Sequence, residues 1–160
     1  ELPDSATLSW RVPLSEEVAL LADVAWTGWS SIRELRVKRD TGEVISITPE
    51  NWEDTWRFAL GATFDVDETL TLGAGIALDE TPVPADTRTA RLPDTDRTWI
   101  AVGMRWQAND SLVIDAGYAH LFGDEVRMEQ NAGSTAVNAL LIGEQKTAVD
   151  IVSAQVAYRF

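Results

Sequence analysis

Apolar and polar positions alternate along most of this chain with a period of two, the spacing of a strand rather than of a helix. Leu8, Trp10 and Val12 oppose Thr7, Ser9 and Arg11. Val18, Leu20, Ala22, Val24 and Trp26 alternate with Ala19, Leu21, Asp23, Ala25 and Thr27. The phase slips between Gly28 and Ser31, where a bulge is the simplest account, and Leu35 and Val37 continue on the other parity. Trp52, Trp56, Phe58, Leu60, Ala62 and Phe64 then oppose Thr55, Arg57, Ala59, Gly61 and Thr63. Leu70, Leu72, Ala74, Ile76 and Leu78 oppose Thr71, Gly73, Gly75, Ala77 and Asp79. Ile100, Val102, Met104 and Trp106 oppose Arg97, Trp99, Ala101, Gly103 and Arg105. Leu112, Ile114, Ala116, Tyr118, His120 and Phe122 oppose Val113, Asp115, Gly117, Ala119 and Leu121. The closing run, Thr147 to Phe160, sets Val152, Ala154, Val156, Tyr158 and Phe160 on one wall, with Asp150, Ser153, Gln155 and Arg159 assigned to the other. The pattern predicts an all-β fold of about seven antiparallel strands.

The connections alternate in length. Pro13–Glu17, Asp65–Thr69 and Ala108–Ser111 are tight turns. Between them run a polar loop over Arg39–Asn51 with Asp40-Thr41-Gly42 as its turn, a loop over Glu80–Asp96 with three prolines, and a loop over Gly123–Lys146. Short turns on one rim and long loops on the other are the signature of an antiparallel transmembrane β-barrel. With the short turns periplasmic, Trp10, Phe64, Trp106, Tyr158 and Phe160 fall at one rim, and Trp26, Trp29, Trp52, Trp56, Tyr118 and Phe122 at the other. Two aromatic belts at the two membrane interfaces would sort them this way. Bacterial single-chain barrels have an even number of strands. Residues 1–160 are therefore expected to be the C-terminal part of a single, larger barrel domain, with its first strands and signal peptide elsewhere.

Composition narrows the alternatives. The chain has no cysteine and one histidine, which excludes a disulfide framework and a thiolate or poly-His metal site. A net charge of -13 speaks against nucleic acid as a partner. No window approaches the roughly 18 apolar residues of a spanning helix, but barrel strands need only about 9–11 residues of alternation. No cofactor is expected.

The wall assigned to the lumen is rich in small residues: Ala59, Gly61, Gly73, Gly75, Ala77, Ala101, Gly103, Gly117 and Ala119. A small barrel fills its bore with large side chains, so small ones leave volume for a plug or a passing ligand. Asp23, Arg57, Arg97, Arg105, Asp115 and Asp150 are interspersed there. Two readings apply. These charges pair across the lumen and hold a plug, or an inward Arg meets an anionic headgroup, with Trp99 and Leu121 in an apolar ligand pocket.

Several segments resemble the FadL/TodX family of outer-membrane long-chain fatty acid and hydrocarbon transporters. They are Val24–Ser30, Asn51–Arg57 followed by Ala59-Leu60-Gly61, Arg91–Trp99, Asp115–Phe122 and Tyr158-Arg159-Phe160, in order along the whole chain. The resemblance implies a fourteen-stranded monomeric barrel, an even count, with an N-terminal plug. It also implies passive uptake of apolar substrates that leave sideways through the wall. The family's plug and lateral opening lie outside this sequence, so no residue there is carried over.

Other functions have weaker support. His120 lies on the lipid-facing parity beside Tyr118 and Phe122, which suits a belt residue better than a catalytic base. Asp65-Val66-Asp67-Glu68 lacks the glycine and length of a calcium loop. Asp86, Asp94 and Glu125 are loop acids that meet solvent or lipopolysaccharide-bound cations. A non-transporting barrel, adhesin or structural anchor, is the alternative function. The closing strand is the expected recognition point for the barrel assembly machinery.

Overall fold

The computed structural model describes residues 2–131 and 140–160. In chain order its elements are β1 (Ser5–Pro13), β2 (Val18–Thr27), a 3-10 turn (Trp29–Ser31), β3 (Glu34–Lys38), β4 (Val44–Pro49), β5 (Thr55–Asp65) and β6 (Leu70–Asp79). They continue with β7 (Arg97–Asn109), β8 (Leu112–Gly123), β9 (Val126–Asn131), β10 (Leu140–Gln145) and β11 (Ala148–Tyr158). Seven strands form one sheet in the order β1-β2-β5-β6-β7-β8-β11. Every neighbouring pair is antiparallel, so the sheet is an up-and-down meander with β1 and β11 at its edges. The alternating runs of the sequence are these seven strands.

The short turns are closed by their own side chains, which compete well for turn backbone. Ser15 Oγ accepts from the Glu17 and Val18 amides at 3.2 and 3.1 Å. Asp67 Oδ1 accepts from the Thr69 amide and hydroxyl, both at 2.7 Å, and from the Leu70 amide at 3.0 Å. Those donors favour the ionised carboxylate, the Thr69 hydroxyl most, and hold Asp67 below its ordinary pKa of 3.8.

The two faces of the sheet carry different side chains. Leu60 and Ile76 are 63% and 58% exposed on one face, whereas Ala77 and Leu121 are 6% and 7% exposed on the other. A water-soluble sheet would bury its large apolar face; here that face is bare. We call the bare face outward and the other inward. At the loop end the 80–96 segment folds over the inward face, burying its own Val83 and Thr95.

Two loops contain structure that alternation did not predict. The phase slip at Gly28 is not a bulge. β2 ends at Thr27 and a single 3-10 turn carries the chain out of the sheet, pinned by the Ser30 amide donating to Asp54 Oδ1 at 2.9 Å. The polar loop is instead a hairpin, β3–β4, in which Leu35 faces Thr48 and Val37 faces Ser46. Its turn needs Gly42, at φ +87°, where a side chain would be strained. At its base the Glu50 and Asn51 amides both donate to the Arg33 carbonyl, at 2.8 and 3.0 Å, which Asn51 permits by adopting φ +48°. The third long loop likewise contains the β9–β10 pair, with residues 132–139 outside the described part.

Candidate functional site

Register sorts the inward residues into rows that cross the sheet. Nearest the loops, Thr7, Ala25, Arg57, Asp79, Arg97 and Gly123 form one row. The next is Ser9, Asp23, Ala59, Ala77, Trp99, Leu121 and Val149. Below it lie Leu21, Gly61, Gly75, Ala101, Ala119 and Ile151, then Thr63, Gly73, Gly103, Gly117 and Ser153. Nearest the turns come Asp65, Thr71, Arg105, Asp115 and Gln155. The inward face is thus charged at both ends and largely small and apolar in the middle over β5–β8, while Asp23 and Arg11 continue the middle rows on β2 and β1.

The end rows are tied by ion pairs. Arg97 reaches Asp79 at 3.1 Å and Asp94 at 2.5 Å, so the β6–β7 register and the 80–96 segment converge on one guanidinium. Arg105 grips Asp115 through both carboxylate oxygens, at 2.7 and 3.2 Å. That bidentate fork lines a 360 Å³ polar cavity at the turn end. Arg57 behaves differently. Its guanidinium lies 5.0 Å from the centroid of the Trp99 ring and makes no ion pair among the described residues.

Two cavities lie at the loop end, and Arg57 lines the first of them. One, of 490 Å³, is walled by Arg57, Arg97, Trp29, Trp52, Val83 and Leu92. The other, of 520 Å³, is walled mainly by Trp99, Leu121, Leu92, Pro93 and Val149. Trp99 and Leu121 are directly registered partners, as an apolar pocket containing both requires. Both linings are mixed, because Asp79, Asp94 and Arg97 border both spaces and Glu80 the first. Concave space of a few hundred Å³ that joins apolar walls to a small set of polar groups is the usual form of a small-molecule site. Among the described residues no group of acidic, Cys or His side chains is placed to hold a metal ion.

Of the predicted lumen residues, Arg57, Ala59, Gly61, Gly73, Gly75, Ala77, Arg97, Trp99, Ala101, Gly103, Arg105, Asp115, Gly117 and Leu121 share the inward face. Asp150 does not. It is registered with His120 on the outward face and accepts hydrogen bonds from the Tyr118 hydroxyl at 2.6 Å and His120 Nδ1 at 2.7 Å. Parity alone placed it there, since it has the parity of Val152 and Tyr158; grouping it by polarity with Ser153 and Gln155 was the error.

Trp52 and Trp29 also depart from expectation. Both lie outside the main sheet, pack edge to face at 5.3 Å, and line the inward cavity rather than an outward belt. β5 begins only at Thr55, so the parity of Trp56 does not extend back to Trp52. The remaining rings, Trp10, Trp26, Trp56, Phe64, Trp106, Tyr118, Phe122 and Tyr158, stand on the outward parity, with Trp26 directly opposite Trp56. Phe160 follows the end of β11 and is exposed.

The outward rings near the turns step along the register in one direction. The Trp10 row reaches Leu60, short of Phe64; the Phe64 row reaches Met104, short of Trp106; the Trp106 row reaches Val156, short of Tyr158. Rings brought to one level on tilted strands must step this way.

A seven-stranded antiparallel sheet with a bare apolar outer face and a small-residue inner face is a section of an outer-membrane β-barrel wall. This chain belongs to the outer membrane protein transport protein family (OMPP1/FadL/TodX), whose sequence profile matches residues 1–160. It is 34% identical to a long-chain fatty acid transport protein of Escherichia coli O6:H1, over 84% of this chain and 30% of that protein. It is 38% identical to a 47 kDa outer membrane protein of Pasteurella multocida, over 76% of this chain and 28% of that one. The crystal structure of a Pseudomonas aeruginosa FadL homologue superposes with a TM-score of 0.87 at 32% identity, covering 98% of this chain and 35% of the homologue. The chain therefore spans about a third of the length of the proteins it matches.

Proposed function

We propose that this chain is part of an uptake channel for hydrophobic compounds, long-chain fatty acids or aromatic and aliphatic hydrocarbons, and that its inward face lines their path. The observation that carries this is Arg57. Every other arginine of the end rows is neutralised by a carboxylate, whereas Arg57 rests on the Trp99 ring and lines a loop-end cavity of mixed polar and apolar walls, with the cavity walled by Trp99 and Leu121 beside it. A guanidinium so placed suits a carboxylate headgroup, with Trp99 and Leu121 meeting the apolar chain. The small residues of the middle rows leave room for cargo or plug below.

In this reading transport is passive diffusion through a plugged barrel with lateral exit, and residues 1–160 are the C-terminal part of that single barrel domain. Both edges of the sheet call for further strands, because an open edge cannot face lipid. The outward rings seat the wall at the two interfaces, the loop acids face lipopolysaccharide, and the closing strand is read by the barrel assembly machinery. The barrel acts as a monomer. In cells lacking the whole protein, uptake of a labelled long-chain fatty acid should slow, and restoring it with an Arg57→Gln form should recover less than the unaltered protein does. Unchanged uptake in the lacking cells would contradict the proposal.

A further inference from the structure

Among the outward positions of the seven strands, Asp150 is the one acid and His120 the one residue able to carry a positive charge. Their row continues across the sheet as Ile100, Ile76 and Leu60, so no other charged side chain of the strands stands beside them. Just beyond the strand ends come Asp124, Glu125 and Lys146, and none of these makes an ion pair with Asp150 or His120 among the described residues. An ionisable group on a lipid-facing surface is costly, and such groups mark functional positions.

Register places this cluster at the level of the loop-end rings. Toward the turns, Phe64, Trp106 and Tyr158 are levelled by a step of two residues for every two strands crossed. The same step applies from Trp56. Phe58, two residues toward the turns from Trp56, is in register with Leu78 and Thr98. The row of Thr98 reaches Phe122 and Ala148, and two residues further toward the turns is Asp150. Asp150 therefore shares a level with Trp56, where an aromatic belt meets the lipid headgroups.

The free atoms of the cluster define what it can receive. Tyr118 and His120 both donate to Oδ1 of Asp150, and Oδ2 has no partner among the described residues. An ionised carboxylate only accepts, so His120 Nδ1 carries the proton and Nε2 of the neutral ring is an acceptor, also without a partner there. The Phe122 ring, 4.2 Å away, packs against the imidazole. The Asp150 side chain is 64% exposed and that of His120 24%. The cluster thus presents a negative charge and a second acceptor. Two acceptors are too few for a metal ion of the calcium or magnesium type. A protonated primary amine supplies the opposite charge and three N–H donors.

We propose that Asp150, held by Tyr118 and His120, is an outward site for the headgroup of a membrane lipid that carries a protonated primary amine, on an ethanolamine phospholipid or on an amine-bearing glycolipid. The ammonium meets Asp150 Oδ2, and His120 Nε2 is the second acceptor open to it. The next outward row toward the turns is apolar beside Tyr118, with Val152 and Val102, and takes the start of the acyl chains. The site lies on the opposite face from Arg57 and does not depend on cargo.

The test is native mass spectrometry of the full-length protein in detergent. It is offered phospholipids of identical acyl chains with ethanolamine, choline or glycerol headgroups, and lipid A with and without an amino-sugar substituent. Ethanolamine lipid should be retained about two- to fivefold more than choline lipid, which has the charge but no N–H donor, and the anionic glycerol lipid least. Asp150→Asn should abolish the excess. His120→Asn, which keeps a donor for Oδ1 and removes Nε2, should lower it part-way. A preference for the amine in the phospholipids, in the glycolipids or in both would support the site and identify its source. Retention that ignores the amine in both series would overturn the proposal. So would an excess that either variant leaves intact.

Discussion

The Arg57 guanidinium lies 5.0 Å from the centre of the Trp99 ring, across two strands of the sheet. The contact holds a cation on an inner face where the other arginines of the end rows are paired, and it ties the charged row to the row below. A cation over an exposed aromatic face is worth about 0.5–1 kcal/mol. Trp99→Leu should therefore free the guanidinium and weaken binding of a fatty acid about two- to fivefold, with less effect on an uncharged hydrocarbon. Isothermal titration of both ligands against the full-length protein checks this.

Gly75 and Gly73, on the same strand and the same face, should respond differently to alanine. A Cβ at Gly75 would stand 3.0 Å from the Leu60 carbonyl oxygen of the neighbouring strand, whereas at Gly73 its nearest contact is an ordinary 3.8 Å. Gly75→Ala should destabilise the barrel by about 1–3 kcal/mol through backbone displacement, and Gly73→Ala should be neutral. Denaturant unfolding followed by the shift in gel mobility separates them.

Asp67 gives the turn between β5 and β6 a pH dependence. Its folded pKa lies below 3.8, so the carboxylate is stabilised by folding. That contribution is fully present above the ordinary value and is lost as pH falls through the lower, folded one. Asp67→Ala should consequently be less stable than the unaltered protein near neutrality, with the gap closing at the acid end. Unfolding midpoints across that range test the sign; a gap that widens on acidification contradicts it.

On the outward face, the Asp150 carboxylate is held by Tyr118 and His120, at 2.6 and 2.7 Å. Removing one donor leaves a carboxylate facing lipid with its hydrogen bonds incomplete, which is worse than removing the acid as well. Tyr118→Phe should lower thermal stability in detergent, and Tyr118→Phe combined with Asp150→Val should restore much of it. Additive losses in the double variant would show that Asp150 is not dependent on Tyr118.

This carboxylate also marks how far the sequence could be read. Strand positions, turn positions and the inward row were legible because a two-residue period fixes which face each side chain takes. Asp150 was misassigned because its partners lie on a neighbouring strand, and only pairing shows that Tyr118 and His120 can satisfy it. The hairpin was missed for another reason. Leu35, Val37, Ile45 and Ile47 alternate around Asp40-Thr41-Gly42, but a two-stranded ribbon with no core behind it gives short, weak periodicity, so a loop was the simpler expectation. Trp52 was placed by extending the parity of β5 through Glu53 and Asp54, where no strand exists. Beyond the sheet itself, the walls of the loop-end cavities come from Trp29 in the 3-10 turn, from Trp52 and from the fold of the 80–96 segment, none of which alternation encodes.

The central claim is that the inward face lines a path for apolar cargo and that Arg57 receives its headgroup. The most direct test compares uptake of a labelled long-chain fatty acid and of an aliphatic hydrocarbon of similar length by cells whose only copy of the full-length protein carries Arg57→Gln. The account predicts slower fatty acid uptake and unchanged hydrocarbon uptake relative to cells with the unaltered protein. Equal uptake of the fatty acid by both, at concentrations well below saturation, would contradict it.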